Sequence, residues 1–257
     1  MMELTDEQRE RYKRHLLIED IGEEGQKKLA QGSVLVIGTG GLGSPAALYL
    51  TAAGVGRLGI ADADVVDLSN LQRQVLHGTP DLGRPKVESA RETLHAINPE
   101  VQIEKFGEYV TKDNIMELVG RYDFVLDCTD NFPTKFLIND ACVQADKPFV
   151  HAGIYEFSGQ LMTVMPHESP CYRCVFGSEP PKDAFPNGGV PGVVGAVAGV
   201  IGSLEALEAI KYLTGAGQLL TGRLLTFDGR TMKFRNVALP PRRRDCAACG
   251  DQKERDI

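Results

Sequence analysis

Four cysteines stand in two Cys-x-x-Cys pairs about seventy residues apart, Cys171 with Cys174 and Cys246 with Cys249. Two tight turns that each present two thiolates are what tetrahedral zinc coordination requires. Disulfides would need an oxidising compartment, and a redox Cys-x-x-Cys would be expected in a different βα setting. The expected role is structural. The ion would clip the polar tail PPRRRDCAACG, which has too little apolar surface to dock unaided, onto the turn at Cys171. Arg242, Arg243 and Arg244 in that tail read as solvated, with contact to an acidic partner as a second reading.

A second constellation opens with Gly38, Gly40 and Gly43 in the spacing G-x-G-x-x-G, followed by Asp62. Backbone amides in such a turn can face phosphates, and the acid can hold ribose hydroxyls. This suits a dehydrogenase that binds NAD, an ATP user, or a turn without a ligand. Asn70 and Arg73 in DLSNLQRQVLH and Lys86 in GRPK favour ATP. Cations and an amide beyond a diphosphate suit charge developing in phosphate chemistry better than hydride transfer. Asp130 and Asn131 follow the apolar run DFVLDC. A carboxylate placed there beside phosphates is a natural magnesium ligand, whereas without them capping the helix before Phe132 is the default. Cys128 and Cys142 fall inside an expected strand and helix and read as small buried hydrophobes. His15, His77, His95, His151 and His167 form no ligand or triad spacing.

The elements that must position these groups follow from periodicity. Thr5 and Gln8 have capping-box spacing ahead of an N-terminal helix, and a second helix is expected over 23–30. SVLVIG reads as a strand buried on both faces, followed by a helix from Leu42 to Ala53 that Gly54 stops, and a strand RLGIAD. This is the βαβ unit of an open parallel sheet. Alternation continues with a helix over 85–97, a strand over 101–106, a short helix after Thr111, the strand 123–128, a helix over 134–144 and a strand over 148–153. The segments 160–165, 224–227 and 231–237 look like antiparallel strands, with Asp228-Gly229 as a hairpin turn. The expected fold is therefore α/β: a Rossmann-like, mostly parallel sheet with an antiparallel C-terminal extension and a structural zinc site. Gly192, Gly195, Gly199 and Gly202 would share one helical face, as a core helix packed closely or as part of a subunit interface.

Composition narrows the function. With 42% hydrophobic and 25% charged residues the 257-residue chain is ordinary globular protein, and a net charge of -7 argues against a broad nucleic-acid surface. The apolar stretch 190–204 is too short to span a bilayer and runs into Glu205, Glu208 and Lys211, so no membrane span is expected. The charged start MMELTDEQRERYKRHL lacks the apolar core of a secretory signal, which makes the reducing cytoplasm the expected compartment.

RYKRHLLIEDIGEEGQKKL, GTGGLGSPAALYLTAAGVGRLGIADAD, SNLQRQ, GRPK, DCTDN and the two Cys-x-x-Cys pairs together resemble the MoeB/ThiF/HesA family, relatives of ubiquitin-activating enzymes. The likeness runs through essentially the whole chain and lies nearest the molybdopterin-synthase adenylyltransferase branch. It implies a homodimer that uses ATP and Mg²⁺ to adenylate the C-terminal glycine of a ubiquitin-like sulfur carrier, MoaD-like in molybdenum cofactor synthesis. A ThiS-like or other carrier, in thiamine or cysteine synthesis, is the alternative. The resemblance implies nucleotide contacts at Gly38, Gly40, Gly41, Gly43, Asp62, Asp64, Ser69, Asn70, Leu71, Gln72, Arg73, Lys86, Asp130 and Asn131, with Asp130 on magnesium. It also implies that Arg14 reaches the partner subunit's ATP. The chain would be one adenylation domain over 1–257: N-terminal helices over 1–31, a nucleotide-binding part over 32–153, and a carrier-binding, zinc and antiparallel part over 154–257.

Many relatives carry a cysteine near the position of Gly188, which links covalently to the carrier; this sequence has none between Cys174 and Cys246. Sulfur is therefore expected from a separate donor protein. The sequence ends soon after Cys249, which likewise leaves an appended sulfurtransferase domain unexpected. The Pro- and Gly-rich loop from about Ser178 to Gly192 is expected to cover the carrier tail.

Overall fold

A computed structural model describes residues 3–180 and 192–251. Gly188 and most of the expected cover loop lie outside the described residues. The N-terminal region forms α1 (Asp6–Arg11), α2 (Lys13–Leu16) and α3 (Gly22–Gln31). Thr5 and Gln8 make the reciprocal capping box, but the helix breaks at Tyr12, whose backbone leaves the helical region. Tyr12 is buried and takes a 2.8 Å hydrogen bond from Asn98, so the break drives its ring inward and ties the N-terminal helices to the rest of the fold.

One eight-stranded sheet organises the chain. Its strands are β1 (Ser33–Ile37), β2 (Arg57–Ala61), β3 (Gln102–Phe106), β4 (Phe124–Asp127), β5 (Phe149–Tyr155), β6 (Ser158–Val164), β7 (Arg223–Asp228) and β8 (Lys233–Ala238), in the order β3-β2-β1-β4-β5-β6-β7-β8. The first five pair in parallel and the last three add antiparallel, which makes the fold the expected α/β sheet with its extension. Helices cover both faces: α4 (Gly43–Ala53), α5 (Lys86–Ile97) and α9 (Gly195–Thr214) on one, α6 (Ile115–Gly120), α7 (Phe132–Gln144) and α8 (Tyr172–Phe176) on the other. This explains the unbroken apolar run of β1. Val34 and Val36 enter the core under α4 and α9, while Leu35 and Ile37 enter the core under α6 and α7.

Two local expectations change. β5 and β6 are longer than 148–153 and 160–165 suggested, because they pair along their full lengths from Phe149–Val164 to Tyr155–Ser158. The hairpin after Asp228 has a four-residue loop, with Asp228 opposite Lys233. Asp228 accepts from Arg230 N at 2.9 Å and from the Thr231 hydroxyl at 2.7 Å, while Gly229 N donates to Phe157 O. These bonds hold a wider turn than a two-residue connection would allow.

The glycine stripe divides into two uses. A Cβ at Gly202 would lie 2.2 Å from Leu42 O, so its absence lets α9 press against the start of α4. Among the described residues Gly199 has nothing within 4 Å of that position, and it opens onto an apolar groove between α4 and α9, lined by Pro45, Leu48, Tyr49, Val200 and Leu204. Gly202→Ala should lower unfolding stability by about 1–3 kcal/mol through overpacking, whereas Gly199→Ala should leave it unchanged or raise it by up to ~1 kcal/mol. Urea melts of the two variants test this; equal effects would refute the division.

Candidate functional site

The site is built from the carboxyl ends of β1, β2 and β4. Gly38, at φ +94°, turns the chain out of β1 where a Cβ would stand 2.8 Å from Cys128 O, and a Cβ at Gly43 would strike Gly38 O. Those two glycines are required by the turn itself. At Gly40 and Gly41 the nearest atoms, from Gln74 and Ala198, lie at ordinary 3.4 Å separation. Nothing in the fold demands glycine there so strongly, which matches a backbone left bare for a ligand to approach.

Asp62, just past β2, accepts from Thr39 N at 2.8 Å and the Thr39 hydroxyl at 2.9 Å with one oxygen, and from Asp64 N with the other. It thus clamps the glycine-rich turn to the neighbouring strand end. Lys86, at the first residue of α5, is buried; its ammonium lies 2.9 Å from Asp64 and 4.0 Å from Asp62. Arg73 lays its stem 3.5 Å from the Cβ position of Gly41 and donates to Ser69 O. Asn70 accepts from Asp67 N within a one-turn 3₁₀ helix, and Gln72 reaches Val193 O just before α9. The segment carrying Ser69, Asn70, Leu71, Gln72 and Arg73 therefore sits between the glycine-rich turn and α9. Amides and cations are thus gathered around the glycine-rich turn, an arrangement suited to phosphate oxygens.

Asp130 follows β4, in the turn whose Cys128 carbonyl and Thr129 amide pack against Gly38. The capping alternative falls to its neighbour: Asn131 is the N-cap of α7, accepting from Thr134 N at 3.0 Å. Asp130 is exposed, and among the described residues its carboxylate has no hydrogen bond or ion pair. Arg14 stands apart from this set. It is exposed on α2, and no described contact joins it to Arg73, Lys86 or Asp130.

Three groups in the interior next to Asp130 escaped sequence reasoning. Asp127, at the end of β4, is 1% exposed and pairs with Lys135 of α7 at 3.2 Å and with His151 Nδ1 of β5 at 2.9 Å. Burial would raise the Asp127 pKa, but the Lys135 charge and the His151 bond outweigh it and bring it to about 2. Burial and the same Lys135 charge lower His151 to about 4. Its ring is neutral, with Nδ1–H donating to Asp127 and Nε2 buried without a partner among the described residues. No spacing rule joins positions 127, 135 and 151; only strand order does. His77 is a second case, donating from Nε2 to Thr39 O and accepting from the Ser89 hydroxyl at Nδ1, directly behind the Asp62 clamp. Cys128 and Cys142 are buried as expected, and Cys128 lies 3.5 Å from Glu205.

The four paired cysteines meet on the α6–α7 face of the sheet. Their sulfurs all lie within 4.8 Å of one another, with Cys171–Cys246 at 3.6 Å and Cys174–Cys249 at 3.3 Å. Thiolates bound tetrahedrally at about 2.3 Å would stand about 3.8 Å apart, so the set fits zinc. All four are free thiols, which removes the disulfide alternative.

A model of the ThiF family matches residues 12–248. The chain belongs to the ThiF family. Among curated ThiF relatives it is 44% identical to the sulfur carrier protein adenylyltransferase of Thermus thermophilus over 256 residues, 98% of this chain and 94% of that protein. It is 46% identical to the adenylyltransferase and sulfurtransferase MOCS3 of Aedes aegypti, over 94% of this chain and 55% of that protein. The Bos taurus MOCS3 is 48% identical, over 97% and 55% respectively. The chain thus spans about half the length of these MOCS3 proteins. Among solved structures, Escherichia coli MccB with MccA-N7isoASN superposes with a TM-score of 0.83 at 23% identity, over 95% of this chain and 75% of that one. That likeness concerns the fold. No helix among the described residues is long and apolar enough to cross a membrane.

The depressed His151 pKa makes stability depend on pH. Above about 6.5 both folded and unfolded states hold a neutral ring; between 6.5 and 4 only the unfolded state binds the proton, so stability falls as pH falls through that window. The loss should approach about 3 kcal/mol by pH 4. Denaturant melts across the window should show this slope in the wild type and a flatter one in His151→Gln.

Proposed function

We propose that this chain uses ATP to adenylate the C-terminal glycine of a small ubiquitin-like sulfur carrier, activating it for thiocarboxylate formation. The observation that carries the reading is the gathering of bare glycine backbone, Asn70, Arg73, buried Lys86 and the uncommitted Asp130 at the carboxyl ends of neighbouring strands. The name of the 44% identical Thermus thermophilus relative supplies the carrier.

The chemistry suits the residues. A terminal carboxylate is ionised near neutral pH, so its oxygen attacks the α-phosphorus without a strong general base. The new O–P bond forms as the bond to the α–β bridging oxygen breaks, and pyrophosphate leaves with that electron pair. Arg73, Lys86 and Asn70 neutralise and orient the phosphates, the turn from Gly38 to Gly43 presents amides, and Asp62 keeps its place at the ribose while clamping Thr39. Asp130, with Asn131 fixing the turn after it, is the group that would hold Mg²⁺. Bound there, the ion would offset charge on phosphate oxygens.

Further assignments rest on the family resemblance. The carrier is MoaD-like, in molybdenum cofactor synthesis, and the enzyme works in the cytoplasm as a homodimer in which Arg14 completes the other subunit's site. The exposed apolar groove of α4 and α9, where Tyr49 is 58% exposed, gives such a dimer a face to bury. With no cysteine between Cys174 and Cys246, the carrier forms no covalent link in that stretch and a separate protein donates sulfur. Structural zinc at Cys171, Cys174, Cys246 and Cys249 holds the C-terminal tail.

Carrier-dependent exchange of labelled pyrophosphate into ATP is the deciding assay. Arg73→Ala and Asp130→Ala should each lower it at least about 10²-fold while the protein stays folded. Near-wild-type exchange in either variant removes that residue from the site. Exchange compared between MoaD-like and ThiS-like carriers assigns the pathway. Elemental analysis should find one zinc per chain, and Cys249→Ser should lose it together with several degrees of thermal stability.

A further inference from the structure

Asp130 sits between two residues that are each tied down by a side chain. On its C-terminal side, Asn131 caps α7 through Thr134 N. On its N-terminal side, Thr129 donates to one oxygen of Asp127 twice, from its hydroxyl at 2.7 Å and from its backbone N–H at 3.2 Å. Asp127 cannot swing away. Lys135 holds both its oxygens at 3.2 and 3.3 Å while also donating to Ala152 O at 2.7 Å, and His151 holds the second oxygen. The His151 ring is itself wedged against Tyr172, at 4.3 Å between centroids, and against Phe176, at 5.9 Å. Both aromatics belong to α8, the helix that begins between Cys171 and Cys174.

We propose that Asp127 is a positioning residue for the magnesium site. Acting through Thr129, it fixes the turn that presents the Asp130 carboxylate, and Lys135 and His151 brace it from behind. This rests on the reading of Asp130 as the magnesium ligand. A buried ion pair is costly to assemble and adds little stability of its own. What this one adds is direction: a carboxylate fully committed to its neighbours, one residue removed from a carboxylate left exposed for a cation. Partners of metal ligands commonly alter metal affinity by about 10–100-fold when removed.

Thr129 offers the mildest test, because Thr129→Val keeps the shape and removes only the hydroxyl bond to Asp127. ATP binding to the full chain is measured by calorimetry as Mg²⁺ is varied, alongside thermal melts. Thr129→Val should raise the Mg²⁺ concentration for half-maximal ATP binding roughly tenfold, leave binding of ATP without Mg²⁺ unchanged, and melt as a folded protein. Thr129→Ser should restore the wild-type Mg²⁺ curve. A wild-type Mg²⁺ curve in Thr129→Val overturns the proposal, and so does an equal loss in Thr129→Ser, which retains the hydroxyl. Asp130→Ala separates the two levels. If it abolishes the Mg²⁺ dependence while Thr129→Val does not shift it, positioning by Asp127 fails and the ligand assignment stands; if it leaves the dependence intact, the ligand assignment falls and this inference with it.

Discussion

Chain direction across the sheet reverses at the boundary between β1 and β4. From β1 the connections run outward to β2 and β3, and from β4 they run the other way to β5, so the helices following β1 and β4 diverge. A crevice is left at the carboxyl ends of these two strands, where no connection crosses and unpaired backbone amides face outward. The groups proposed to hold the nucleotide, Arg14 apart, lie around it. The turn from Gly38 to Gly43 lies on one side, the turn that carries Asp130 on the other, and Asp62 ties the first to β2.

Burial on both faces of the sheet imposes a second condition. Polar groups near the crevice are withdrawn from water and must find partners inside the protein. Asp127, Lys135 and His151 satisfy one another almost completely, and among the described residues the atom of this trio left unpaired is His151 Nε2. On the opposite face Glu208 accepts from Thr163 and from Leu220 N and pairs with Lys211, fixing α9 to β6. α9 in turn presses against α4 at Gly202 and bounds the segment carrying Arg73. The precision of the crevice is therefore held by interior hydrogen bonds, and exposed ion pairs such as Arg243 with Asp245 contribute little.

The cysteine cluster extends the same logic to the tail. Residues 239–251 contain few apolar side chains and no helix or strand, yet Cys246 and Cys249 are buried against Cys171 and Cys174. The four-cysteine cluster joins this segment to the sheet at a point where its own apolar side chains offer little burial. Because α8 grows directly from the first pair, the cluster also supports the aromatic wall behind His151.

Much of this was written locally. Glycine spacing, the β-branched run of β1, the cap at Thr5 and two short cysteine pairs are signals within a few residues of one another, and backbone geometry alone converts them into a turn, a strand, a helix start and two knuckles. The positions of Asp130 and Asn131 after β4 were legible for the same reason, although which of them caps α7 was not. Long-range placement was decided only by the tertiary structure. Strand order puts His151 of β5 beside Asp127 of β4, and helix packing sends Lys135 back to the same carboxylate, though nothing in their sequence separation marks them as partners. Likewise, Gly199 and Gly202 share a stripe in the sequence but part company once α4 arrives on one of them. Periodicity states which face of an element is apolar; it does not state what that face meets, and the roles of buried charges and bare glycines depend on what they meet.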